Sequence, residues 1–222
     1  MIVDYLKYII SKKMKIKTVY DVGAHNGEWS TAVQNLALPN SKFILFEANP
    51  MHEESLSESG FDFFNGTALS KPGVKSVEFF LGPGGHGDSY YKENTKFFDK
   101  CESITLPAIT LDSVIKKENL PKPDFIKLDT QGSELDILNG AKSIFDTVKL
   151  IYVEIPILSY NKGAPTFQEY IDFFKSKNFV PIDIVDIGRM EDTLVQIDVL
   201  FMHKDAKNKI FNPNKMVNPF IK

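Results

Sequence analysis

Residues 19–27 read VYDVGAHNG, and FILFEANP follows at 43–50. Each is a short apolar run that ends in polar residues able to hold a ligand. Gly23 and Gly27 allow a tight turn and close backbone approach, while His25 and Asn26 offer side-chain hydrogen bonds. Glu47 ends the second run, where a carboxylate can accept from both hydroxyls of a ribose. The pattern points to an adenosine-bearing ligand. A dinucleotide fingerprint would need glycines where the chain has His25 and Glu28, and a carboxylate at Glu28 in the first helical turn would repel a pyrophosphate. The acidic rim of Asp21 and Asp129 suits a sulfonium and an ammonium instead, which favours S-adenosylmethionine over NAD. No G-x-x-x-x-G-K-[ST] occurs, so a Walker A nucleotide site is ruled out.

Further along, Asp129 and Glu154 each fall at or near the end of a strand-like run, so two carboxylates can face one crevice as base or metal ligand. Lys127 shares the strand face of Asp129 and could pair with either carboxylate. The segment GPGGHGDSYYKENTKFF sets four glycines around His86 and follows them with Tyr90, Tyr91, Phe97 and Phe98. It reads as an acceptor-binding lid with His86 as base or orienting group, or else as a solvated loop whose aromatic residues pack on the sheet. Glu134 reads as a first-turn helix carboxylate and His203 as a structural histidine.

Elements must position these residues, and strand-like and helix-like patterns alternate. Strands are expected at 18–22, 42–47, 61–68, 124–129 and 149–155, with helices at 27–37, 51–59, 113–118 and 133–145 between them. Thr166 and Glu169 have capping-box spacing at the start of a later helix. Two long runs, FVPIDIVDI and TLVQIDVLFMH, are joined so closely that they form an antiparallel hairpin. The continuous runs FILF and LIYV suit strands buried on both faces. An open, doubly wound α/β sheet with an antiparallel edge follows, with ligands expected beyond the carboxyl ends of its strands. The run 74–81 reads as an extra hairpin. Residues 1–17 form an N-terminal helix, 18–204 the main domain, and 205–222 an aperiodic, loosely attached tail.

Bulk properties bound the partners. The 222 residues suit one domain, with a net charge of −3. Of 26 basic residues only Arg189 is an arginine, which argues against nucleic acid. Cys101 stands alone, so no intrachain disulfide forms and a reducing, cytoplasmic setting fits. No apolar run approaches the ~20 residues of a transmembrane helix. The N-terminal segment places Ile2, Leu6, Ile9 and Ile10 on one helical face. It is read as packing on the core or lidding a pocket, with weak contact to an anionic membrane as the alternative. Oligomeric state is not legible.

The stretches VYDVGAHNGEWS, FEANP, NGTALS, ITLDSV, IKLDTQGSELDILNGA and VEI, in this order, resemble the FkbM family of S-adenosylmethionine-dependent methyltransferases. The resemblance covers about Val19 to Phe201. It implies the class I methyltransferase fold, a Rossmann-like three-layer sandwich with a mostly parallel seven-stranded sheet and an antiparallel C-terminal hairpin. It also implies O-methylation of a sugar, glycan or sugar-bearing metabolite. On the same basis Asp21, Gly23, Asn26 and Gly27 line the methionine part of the cofactor, with Ala24, His25 and Ala48 also in the cofactor site. Glu47 holds the ribose, and Thr67 and Ala68 lie near the adenine. Asp129, Glu154 and His86 are the catalytic candidates, with Asp129 also facing the cofactor. No metal ligands are assigned, and a Mg2+ requirement is left open. One departure is TQG where the family has a VEG-like triplet, so that Gln131 replaces a common acidic residue. The rival classes are a cofactor-binding assembly module without catalysis and an NAD(P)-dependent oxidoreductase.

A thermal melt separates the ligand classes, because only a ligand bound by the native state raises the midpoint. S-adenosylhomocysteine should raise it and NAD and NADP should not; stabilisation by NAD alone would reverse the reading.

Overall fold

The computed structural model describes residues 2–211. Seven strands form the main sheet: β1 (Thr18–Val22), β2 (Lys42–Glu47), β3 (Asp62–Asn65), β7 (Phe125–Leu128), β8 (Leu150–Pro156), β9 (Phe179–Met190) and β10 (Thr193–His203). Their spatial order is β3-β2-β1-β7-β8-β10-β9. All neighbouring pairs are parallel except those made by β10, which runs antiparallel to both β8 and β9. The C-terminal hairpin is therefore present, but its reversed strand lies inside the sheet and β9 forms the edge. Order reverses between β1 and β7, which opens a crevice at their carboxyl ends.

Alternation along the strands divides the core. Tyr20, Val22, Ile44, Phe46, Ile126 and Leu128 face one side, with Leu111, Leu135, Tyr170 and Phe174 from α4 (Leu111–Lys117), α5 (Glu134–Asn139) and α6 (Phe167–Ser176). Val19, Phe43, Leu45 and Phe125 face the other, against α1 (Ile2–Ser11), α2 (Glu28–Leu36) and α3 (Glu53–Glu58). Helices on both faces explain why the central strands read as unbroken apolar runs. In α1, Ile2, Leu6 and Ile9 are buried in this second core, so its apolar face is spent on packing. Among the described residues no helix is long and apolar enough to cross a membrane.

Three expectations change. The run at 74–81 contains β5 (Ser76–Leu81), but its partner is β6 (Glu102–Ile109), across the whole Gly-rich segment. Pro107 inside that strand obscured it in the sequence. The strand expected at 61–68 is split: β3 ends at Asn65 in the main sheet, and a two-residue β4 (Ala68–Leu69) adds to β6 in parallel, completing a small three-stranded sheet. The stretch expected as an aperiodic tail begins with a helix, α7 (Lys204–Ile210), whose Ala206 and Ile210 pack on the second core. The rest of that expected tail, 212–222, lies outside the described residues.

Thr166 caps α6 as its spacing implied: its side chain accepts from the Glu169 N–H, and the Glu169 carboxylate accepts from the Thr166 N–H at 2.7 Å. Thr166→Ala should cost about 1 kcal/mol in a urea melt. An unchanged midpoint would mean that packing of Tyr170 and Phe174 alone fixes the helix.

Candidate active site

The crevice holds a cavity of about 240 Å3 at the carboxyl ends of the central strands. Gly23 and His25 line it from the loop after β1, Glu47 and Ala48 from the end of β2, and Thr67 and Ala68 from the small sheet. Asp129, Thr130 and Gln131 enter from the loop after β7 and Glu154 from β8, while Phe46, Leu69, Phe79 and Ile137 give an apolar wall. His86 and Asp88 close it from the Gly-rich segment. The crevice thus brings together most of the sequence-derived candidates.

Asp21, Ala24, Asn26 and Gly27 are not among the lining residues. Asp21 is fully buried; Ser30 donates to it at 2.7 Å, and Lys127 Nζ lies 3.1 Å from it. Ala24 packs in the core. The Asn26 side-chain oxygen accepts from Ser55 at 3.0 Å and lies 2.8 Å from His52 Nδ1. Gly27 has φ +76 at the start of α2, and a Cβ there would press on Leu45. These four residues shape the loop from behind.

Lys127 is the centre of this support. In the register of β7 it lies opposite Asp21, and Asp129 follows two residues later on the same face. Its ammonium is 3.1 Å from Asp21, 3.5 Å from Asp129, and donates to the Gly23 carbonyl at 2.9 Å. Glu154, the other expected partner, is not in this set. Burial by itself would lower the Lys127 pKa, but the two carboxylates outweigh it and hold the group charged. Burial pushes Asp21 upward, against the pull of Lys127 and Ser30. Gly23 must be glycine: φ is +74, and a Cβ would sit 1.9 Å from the Asp129 carbonyl oxygen.

Glu47 is buried, and each carboxylate oxygen accepts one backbone N–H, from His25 and from Asn49, both at 2.8 Å. Burial raises its pKa, with those two hydrogen bonds opposing. His25, at φ +49, stands between two other rings, His52 at 4.1 Å and His86 at 4.8 Å between centroids. Burial, then the neighbouring His86, lowers the His25 pKa.

On the opposite wall, Gln131 donates to Glu154 Oε1 at 2.7 Å, and Gln196 donates to the other oxygen. Tyr160 donates to the Gln196 carbonyl at 2.6 Å, which sets that amide's orientation. Burial, then the Asp129 and Asp198 carboxylates, raises Glu154 well above the usual range. Glu134 takes no direct part: its carboxylate accepts from the N–H groups of Thr130 and Gly132 and from the Tyr170 hydroxyl, bracing the loop after β7. His203 accepts from the Asp205 N–H at the start of α7, far down the chain from the crevice residues.

The Gly-rich segment lies over the crevice and is tied there. Asp88 accepts from the Gly82 N–H and the Asn49 amide, both at 2.6 Å. Ser89 donates to the Gln131 carbonyl at 2.9 Å, and Tyr91 donates to Asp136 at 3.0 Å. Sequence reading missed Asp88, Ser89, His52, Gln196 and Tyr160. An acidic residue directly after the glycine cluster was the available signal for Asp88; the others had none. Among the described residues no group of three or more His, Cys, Asp or Glu side chains is arranged to hold a metal ion.

The family model described as Methyltransferase FkbM domain matches residues 21–181. A curated relative, the hexuronic acid methyltransferase AglP of Haloferax volcanii, is 25% identical over 157 residues, covering 68% of this chain and 61% of that protein. The chain thus spans less than two thirds of that relative. Among solved structures, magnesium protoporphyrin IX methyltransferase from Synechocystis with bound SAM is similar at TM-score 0.52 and 7% identity, over 91% of this chain and 76% of that one. A putative O-methyltransferase from Klebsiella pneumoniae gives TM-score 0.51 and 9% identity, over 90% and 79%. At such identities these structures speak to the fold alone.

Lys127→Met tests the buried ion set. It leaves Asp21 buried and uncompensated, so stability should fall by about 3–5 kcal/mol. Without Lys127 the folded-state pKa of Asp21 rises further above its unfolded value of about 3.9. The native state then binds more protons than the unfolded one, so stability falls with rising pH through that window. The deficit against the parent should therefore shrink on acidification from pH 7 toward 5. A deficit that is small, or independent of pH, would mean that Asp21 is held by Ser30 alone.

Proposed function

The chain belongs to the FkbM methyltransferase family, and on that premise we propose that it moves a methyl group from S-adenosylmethionine to a hydroxyl oxygen of a sugar or sugar-bearing molecule. The observation that carries this reading is the Glu47 carboxylate at the end of β2, lining one cavity with Gly23 and Asp129 where the strand order reverses. The similarity to a hexuronic acid methyltransferase supports a sugar acceptor.

The residues fit such a cofactor. Phe46, Leu69, Phe79 and Ile137 offer apolar surface for a purine ring. Each Glu47 oxygen accepts one backbone N–H and keeps capacity for a ribose hydroxyl. Asp129, with its side chain 43% exposed, can meet the cofactor's ammonium or the acceptor. The cavity of about 240 Å3 is smaller than the ~300–1,000 Å3 usual for ligand sites, which supports a reading in which the Gly-rich cover lifts to admit both reactants.

When bound, S-adenosylmethionine supplies a methyl group activated by its sulfonium: a C–O bond forms as the S–C bond breaks, leaving the thioether. The chain's tasks are to align the acceptor oxygen with that methyl and to take the hydroxyl proton. Glu154 suits the second task, since burial and the neighbouring Asp129 and Asp198 carboxylates raise its proton affinity at the cavity wall. His86 is the alternative base, on the cover side of the same cavity.

Calorimetry with S-adenosylhomocysteine tests the cofactor site. Glu47→Ala should lower affinity by about 30–1,000-fold, the equivalent of roughly 2–4 kcal/mol. If Asp129 and Glu154 act on the acceptor or a metal, Asp129→Asn and Glu154→Gln should instead cut kcat while cofactor affinity stays nearly intact. Unchanged affinity in the first variant, or equal losses of affinity and turnover in the other two, would move these residues to different roles.

A further inference from the structure

The charges around the cavity restrict the acceptor more narrowly than the word sugar does. Four carboxylates line it: Glu47, Asp88, Asp129 and Glu154. Among the described residues no lysine or arginine does. Lys127 is close by, but its ammonium is 4% exposed as a residue and already engaged by Asp21, Asp129 and the Gly23 carbonyl. Arg189, the only arginine of the chain, lies in the hairpin, where its guanidinium donates to the Asp192 carbonyl at 3.0 Å. The remaining lining groups able to become cations are the imidazoles of His25 and His86, stacked on one another. Charging both would set two like charges face to face.

An acceptor carboxylate beside the reacting hydroxyl would thus meet like charges and, among the described lining residues, find no lysine or arginine to pair with. Protonating Glu47 or Glu154 would remove negative charge and still supply no cation. Gln131 and Gln196 add amide donors on the Glu154 side, but both amide groups are turned onto that carboxylate. Hydroxyl and ammonium groups, by contrast, are donors that carboxylates accept from.

Resting on the methyltransferase reading, we infer that the acceptor is a neutral or amine-bearing sugar with no carboxylate beside the methylated hydroxyl. This sets the chain apart from the named specificity of its hexuronic acid relative. The acidic lining selects by repulsion as well as by attraction, and the repulsive part excludes uronates.

The test has two stages, run on the full chain at pH 8, where an ordinary imidazole is neutral. Calorimetry with S-adenosylhomocysteine comes first; no binding would fell the methyltransferase reading, and this inference with it. Transfer of a labelled methyl group is then measured to matched methyl glycosides that differ only at C6: hydroxymethyl, aminomethyl, carboxylate, and the methyl ester of that carboxylate. The hydroxymethyl or aminomethyl sugar should exceed the uronate by at least about 10-fold in kcat/KM. The ester should recover most of that loss, since it keeps the shape and removes the charge. A uronate used equally well or better overturns the inference while leaving the function standing. So does an ester as poor as the acid, which would make size the cause, and so does cofactor binding with transfer to none of the four.

Discussion

Everything at the cavity end of the sheet depends on one buried ammonium. Lys127 occupies a position on β7 that the surrounding pattern would give to an apolar residue, and a lone charge there would be untenable. It is tolerable because three acceptors converge on it: Asp21 from β1, Asp129 from its own chain, and the Gly23 carbonyl. Those partners come from both sides of the point where strand order reverses. The ion set therefore ties the loop after β1 to the loop after β7, and these two loops form the floor of the cavity. Gly23 completes the arrangement, because only a residue without Cβ lets the two loops approach to this distance.

Carboxylates are unusually dense around that floor, and the structure handles each differently. Asp21 is neutralised by Lys127; Glu134 is absorbed by backbone N–H groups and a tyrosine hydroxyl; Glu47 clasps the loops on either side of it. Glu154 has two amide donors and no cation. This gives the departure at Gln131 a physical meaning. A carboxylate at that position would face Glu154 directly, with Asp129 also near, and like charges so placed cannot all ionise. An amide turns the same geometry into a hydrogen bond.

The cover is built from a different kind of material. The Gly-rich segment connects β5 to β6 of the small sheet, so both of its ends are anchored in ladder hydrogen bonds. Between them it is held by backbone bridges, Phe80 with Ser89 and Glu93 with Asn161, and by side chains reaching across: Asp88 to Asn49, Ser89 to Gln131, Tyr91 to Asp136. The core itself is divided between the two sheet faces and makes no demand on this segment.

Much of the architecture was legible in the chain. Apolar runs located β1 and β2 to the residue, the Thr166 and Glu169 spacing gave the capping box, and the motifs gave the family and the strand ends around the cavity. These features are local, because propensity, caps and periodicity act within a few residues. What lay beyond local reach was decided by tertiary structure. β6 carries a proline and is identified only by its pairing with β5 across the Gly-rich segment. That β10 lies inside the sheet and β9 at its edge depends on which strand docks on β8. Lys127 chose Asp21 over Glu154 because register sets it opposite the former, an outcome that alternation within one strand cannot fix. The sequence by itself thus determined which groups could do chemistry and at which strand ends they sit. Only the folded sheet decided which of them face the cavity, since partnership between segments a hundred residues apart is set by register and strand order.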